Sequence, residues 1–136
     1  MSELTTFTRE HLDGALALFA AEGWETYTLD PERTYRALAA PGCTTLVAVD
    51  GTTVIALVQL QSDGAIQAHL SALVVGERWR GAGLARTLLR EALRRAGALR
   101  IDIISAAESF YVGLGAARKA GFRLTRDDLG LSVSPP

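Results

Sequence analysis

The stretch Leu73-Val74-Val75-Gly76-Glu77-Arg78-Trp79-Arg80-Gly81-Ala82-Gly83-Leu84-Ala85-Arg86 runs a strand into a helix through a turn with two glycines. Leu84, Leu88, Leu89 and Ala92 recur at helical spacing, which predicts a helix over Gly81 to Ala96 with Gly97 as its C-terminal cap. Physically, this junction is an anion site. The first amides of a helix lack backbone partners, and the aligned peptide dipoles put about half a positive charge there. Small residues at Gly81, Ala82, Gly83 and Ala85 let a phosphate approach those amides closely.

Upstream of the turn, Ile66 to Val75 reads as a long strand. Strict alternation puts Ile66, Ala68, Leu70, Ala72 and Val74 on one face. Gln67, His69 and Ser71 take the other, which becomes apolar at Leu73 and Val75. Thr44 to Val49 and Thr53 to Gln61 form a hairpin about Asp50-Gly51, and Ser62-Asp63-Gly64 makes the next turn. Leu4 to Thr8 is a short first strand. Leu12, Ala15, Leu16, Leu18 and Phe19 mark a helix from about Leu12 to Ala21. Asp30-Pro31-Glu32 opens a second one, with Asp30 as cap, Pro31 in the first turn and Glu32 at the positive end, and Pro41-Gly42 stops it.

Downstream, Leu99 to Ser105 is a strand, Ala107 to about Leu114 a short helix and Gly121 to Arg126 a final strand, with Ser134-Pro135-Pro136 as a loose end. The expected fold class is α/β (α+β), a single domain over 1–136: a mixed, largely meandering sheet flanked by about four helices.

Composition narrows the function. The chain has 136 residues, 49% hydrophobic and 21% charged, as one compact domain requires. A net charge of −1, with acids and bases intermixed, lacks the basic surplus of a nucleic-acid binder. Cys43 is the only cysteine, so no intrachain disulfide forms. It begins an apolar run as a small strand residue, and no neighbour in sequence would activate it as a nucleophile. Met1 to Glu10 is polar and mixed, unlike a signal peptide, and no apolar run reaches the ~20 residues that span a bilayer. No membrane partner is expected, and the cytoplasm is the default compartment.

Several readings of the turn compete. A nucleotide P-loop needs Gly-Lys-Ser/Thr where Gly83-Leu84-Ala85 stands. A dinucleotide fold wants a third glycine at Arg86 and alternating βαβ units, whereas hairpins precede this turn. A glycine-rich connection with no ligand is the plain alternative. Arg80-Gly81-Ala82-Gly83-Leu84-Ala85, however, resembles the Arg/Gln-x-x-Gly-x-Gly/Ala signature of the GNAT superfamily of N-acetyltransferases. Phe110-Tyr111-Val112-Gly113-Leu114-Gly115 is similar to that superfamily's Phe-Tyr-x-x-Leu-Gly segment, in the expected order. The resemblance covers roughly Val47 to Leu124.

The resemblance implies a mostly antiparallel sheet whose central parallel strands splay apart. It implies acetyl-CoA as co-substrate and no metal. The amides of Arg80, Gly81, Ala82, Gly83, Leu84, Ala85 and Arg86 would hold the pyrophosphate, and the strand Leu73, Val74, Val75 would pair with the pantetheine arm. One of Arg78, Arg80, Arg86 and Arg90 would meet the adenosine 3′-phosphate. Tyr111 would protonate the leaving thiolate, or simply anchor a short helix. Relatives often carry an acid on the strand before the turn. Here His69 is the natural base, with packing as its plain role. Glu22 and Glu25 would attract a cation or serve as base, or stand solvated. Trp24 and Tyr27 would line the acceptor pocket or pack the first helices, and packing is the role expected of Tyr35.

Ala116 stands where relatives often have Phe, which puts the path of the last strands in doubt, and Glu77 replaces a frequent Pro. The implied activity is transfer of an acetyl group to a primary amine, of a small molecule in preference to a protein. A non-catalytic acyl-CoA sensor is the alternative from another class. Dimerisation is common in such folds, and no sequence feature here fixes it.

Overall fold

A computed structural model describes residues 2–131, which fall into two compact units, 2–103 and 104–131. The first unit holds a five-stranded sheet: β1 (Glu3–Thr6), β2 (Cys43–Asp50), β3 (Thr53–Ser62), β4 (Gln67–Val75) and β5 (Arg100–Asp102). Spatial order follows sequence order. The first three pairings are antiparallel and β4–β5 is parallel. A parallel pair needs a crossover, and α4 (Leu84–Ala96) supplies it, packing across β2, β3 and β4 with Leu88 and Ala92 fully buried.

The opposite face carries α1 (Leu12–Ala21), α2 (Glu25–Thr28) and α3 (Pro31–Leu38). Phe19, Leu12, Ala15, Leu18 and Leu38 pack there onto Val47, Leu57, Ala72 and Val74. The Asp30 cap forms as its chemistry requires, its Oδ1 accepting from Arg33 N–H at 3.2 Å. Tyr35 packs against Phe7 beneath the Arg9 guanidinium, in the role expected of it. The helix α2, absent from the sequence reading, is four residues long and too short to show a period. It is held from outside itself: the Thr34 hydroxyl donates to Tyr27 O at 2.6 Å, and Trp24 and Tyr27 stack on Phe19.

Two bulges interrupt the sheet, and the second overturns the strict alternation expected of Ile66 to Val75. Ile55 is the extra residue between the pairs Val49↔Val54 and Ala48↔Ala56. Ser71 is the extra residue between Leu60↔Leu70 and Gln59↔Ala72. A bulge exchanges the two faces beyond it. Ala72 and Val74 therefore continue the side of Gln67 and His69, toward α1, and not the side of Ala68 and Leu70. Their place in the Phe19 cluster bears this out.

The β4–β5 ladder runs only from Gln67↔Arg100 to His69↔Asp102. Beyond it β4 continues to Val75 with no strand on that side among the described residues, which is the splay that the family resemblance implied. The expected strand Leu99 to Ser105 thus shortens to Arg100–Asp102.

In the second unit, α5 (Glu108–Gly113) forms close to its expected bounds. The expected strand Gly121 to Arg126 does not. Strands are held by neighbours, and this segment has no ladder partner among the described residues, with Phe122 89% and Leu124 69% exposed. Instead, Asp128 accepts from Thr125 N–H at 2.8 Å and from its hydroxyl at 2.9 Å, and the chain turns. Ser134-Pro135-Pro136 lies outside the described residues.

At Gly14 α1 lies close against the sheet: an added Cβ would lie 2.6 Å from Val54 Cγ2. Gly14→Ala gains up to about 1 kcal/mol of helix propensity but meets a buried, β-branched neighbour, where overpacking costs about 1–3 kcal/mol. Thermal unfolding of Gly14→Ala should show a melting temperature a few degrees below wild type. A higher value would mean that β3 yields freely.

Candidate functional site

Gly81 and Gly83 adopt φ of 83° and 82°, the left-handed region that residues with a Cβ rarely enter. They bend the chain so that α4 begins abruptly at Leu84. The Gly83 carbonyl accepts the first helical N–H, from Thr87 at 3.1 Å, and the Thr87 hydroxyl at 3.0 Å. No side chain caps this end, and the first turn carries no acid. The amides of Gly81, Ala82, Gly83, Leu84, Ala85 and Arg86 have no hydrogen-bond partner among the described residues. A 13-residue helix therefore opens with its positive end uncompensated.

Arg80 enters the turn under restraint. Its N–H donates to Glu77 O at 3.3 Å, its Nε to Val75 O at 3.0 Å, and its Nη2 to the Glu22 carboxylate. Glu22, expected on the acceptor side, thus pairs with the first residue of the turn.

The edge of β4 is the second element. Gly76 N–H donates to Ile55 O at 2.8 Å, in register with the β3–β4 ladder. In an antiparallel ladder alternate residues point their main-chain groups to opposite sides. Val74 accordingly faces β3, while Leu73 and Val75 face the gap left where β5 ends. The Val75 carbonyl is the one that Arg80 occupies.

On the α1 side of β4 runs a polar line. Gln61 Nε2 donates to Ser71 Oγ at 2.6 Å, His69 lies opposite Gln61 and Asp102, and Gln67 Nε2 donates to Asp102 Oδ2 at 2.9 Å. Asp102 was missed in the sequence, although the alternation Arg100, Ile101, Asp102, Ile103 signalled a carboxylate on one face of a strand. The Tyr27 hydroxyl donates to the bulged carbonyl of Ser71 at 3.3 Å. Trp24 and Tyr27 have ring centroids 5.7 and 4.4 Å from Phe19, so both are packed onto the core. Glu25 stands exposed in the first turn of α2.

Of the arginines near the turn, Arg78 lies over the Trp79 ring at 5.6 Å. Arg86 and Arg90 line a cavity of about 430 Å³ along the outer face of α4, beside Leu4. Arg94 and Arg95 are engaged by Glu91, whose carboxyl their hydrogen bonds hold down at about 2. The half-buried Cys43 thiol is pushed up by burial, away from the reactive thiolate.

In the second unit, Tyr111 sits on α5 edge-on to Phe110, with centroids 5.0 Å apart. Burial raises its phenol above the ordinary value, and a hydrogen bond with the Ser105 side chain works against that rise. Its carbonyl accepts from Ala116 N–H at 3.0 Å as the helix closes.

The chain belongs to the acetyltransferase (GNAT) family, whose model matches residues 6–122, and it is accordingly an acyltransferase. No curated protein matches the sequence. Among solved structures it is similar to a Deinococcus radiodurans R1 protein assigned to the acetyltransferases, with 27% identity and a TM-score of 0.74 over 99% of this chain and 94% of that one. A GNAT family protein of Streptococcus pneumoniae shares the fold at 21% identity and a TM-score of 0.72, over 93% of this chain and 98% of the other. So does AAC(6′)-Iy, solved with the bisubstrate analogue CoA-S-monomethyl-acetylneamine, at 15% identity and a TM-score of 0.70 over 93% and 97%.

A carboxylate placed at Ala85 would fill the empty acid position of the first turn. It would stabilise α4 by about 0.3–1 kcal/mol through the dipole, and it would repel any anion seated there. Ala85→Asp should keep or raise the melting temperature while weakening pyrophosphate binding, read by calorimetry, at least about tenfold.

Proposed function

We propose that residues 1–136 form one acetyl-CoA-dependent N-acetyltransferase domain, which transfers an acetyl group to a primary amine of a small molecule. The observation that carries this reading is the row of unpartnered amides from Gly81 to Arg86 at an uncapped helix mouth, beside a strand edge that presents Leu73 and Val75. The first fits a diphosphate and the second a pantetheine arm. A fold neighbour that binds CoA linked to an acetylneamine supports a small-molecule acceptor.

In the reaction the neutral amine nitrogen attacks the thioester carbon, the C–S bond breaks, and the nitrogen gives up a proton to base or solvent, leaving an amide and CoA thiolate. An alkyl amine with a pKa near 10.4 is mostly protonated at pH 7, and removing its proton costs about 3.4 units, roughly 4.6 kcal/mol. His69 is the base that this chain offers on the acceptor side of β4, with Asp102 and Gln61 beside it in the ladder.

Tyr111 is assigned to the thiolate. An unperturbed phenol giving its proton to a thiol is already uphill by about 2 kcal/mol, and burial of Tyr111 makes it more so. Its role is therefore to donate a hydrogen bond to the sulfur as charge develops, with full transfer coming later from solvent.

Thiol release from acetyl-CoA with a panel of amines, at two pH values, tests the assignment. Turnover with a small amine is expected; binding without turnover would mark a sensor. The rate should rise with pH as the amine deprotonates, with no alkaline fall below pH ~10, because the raised phenol keeps its proton there. Tyr111→Phe should lower kcat about 10²-fold with CoA affinity essentially kept. Equal loss of both would remove Tyr111 from the chemistry.

A further inference from the structure

We propose that Glu22 is a positioning residue for the cofactor turn: its carboxylate holds Arg80 so that the guanidinium spans the corner between the edge of β4 and the mouth of α4. This rests on the acetyl-CoA reading above.

Glu22 closes α1, where its N–H donates to Leu18 O at 3.2 Å, so the carboxylate is carried on a helix end. Its side chain is 29% exposed, against 66% for Glu32, which is likewise paired with an arginine. The bonds from Arg80 to Glu22 and to Val75 O leave the guanidinium through Nη2 and Nε, and together they fix its plane. Arg80 is thereby the last anchored residue before Gly81, where the unpartnered amides begin. A turn with two left-handed glycines has much freedom to lose, and anchoring its first residue reduces what a diphosphate must still order. The bond to Val75 also caps the free edge of β4, so an arm paired along Leu73 ends where the diphosphate begins.

Three roles for Glu22 give different outcomes. As a bare charge near a diphosphate it would repel the ligand, and removing it would tighten CoA binding. As an acceptor ligand it would set the KM of the amine and leave CoA alone. As a positioning residue it strengthens CoA binding despite its sign.

Calorimetry with CoA on the wild-type chain, E22Q, E22D, R80K and E22Q/R80K separates them. E22Q should raise the Kd for CoA about two- to fivefold, with the amine KM and the melting temperature nearly unchanged. E22D should fall between, and R80K should match E22Q, because an ammonium cannot reach both partners as a planar fork does. Since Glu22 acts through Arg80, the double variant should bind no worse than R80K. CoA binding by E22Q equal to or tighter than wild type, or additive losses in the double variant, overturns the inference and leaves the acetyltransferase reading standing. A wild-type chain that does not bind CoA overturns both.

Discussion

Backbone N–H and C=O groups must be satisfied somewhere, and among the described residues this protein leaves two adjacent sets of them without main-chain partners, at the mouth of α4 and along the edge of β4. The helix α4 opens without a cap, and β4 outruns its parallel neighbour by six residues, Leu70 to Val75. Both openings need a rigid surround to persist in a useful shape. The sheet supplies it from below through Leu57 and Val58, and α4 supplies it through the fully buried Leu88 and Ala92. A site built on main chain, as proposed for this turn, would ask little of the side chains at Ala82 and Leu84.

The division of labour follows from this. On the proposed reading, main-chain groups would give the cofactor side its affinity, while the acceptor side would depend on particular side chains along one face of β4. That face exists in its present form because of Ser71. The bulge turns Ala72 and Val74 toward Phe19, and its displaced carbonyl receives the Tyr27 hydroxyl. The short helix α2 is thereby tied to the strand that carries His69.

Much of this was legible in the sequence, for physical reasons. The turn announced itself because glycine spacing and helix onset are local signals, and the Asp30 cap and the Asp50-Gly51 hairpin are equally local. What escaped was nonlocal. A bulge such as that at Ser71 exists only relative to a partner strand, so alternation along one chain cannot reveal it. The pairing of Glu22 with Arg80 crosses from the end of α1 to the turn, and no spacing rule connects them. Gly121 to Arg126 has the composition of a strand but no neighbour to make it one, which shows how far ladder formation depends on context.

The glycines of the turn carry a further consequence. A Cβ built at Gly81 or Gly83 would meet nothing within 4 Å, so neither position is reserved for want of room. What each demands is handedness: the backbone there is that of a mirror-image amino acid. A D-alanine introduced by chemical synthesis would find these backbone angles in its favoured region, and its methyl group would narrow the unfolded ensemble. The limit on these two positions is stereochemical, and among ribosomal residues the one without chirality meets it at least cost.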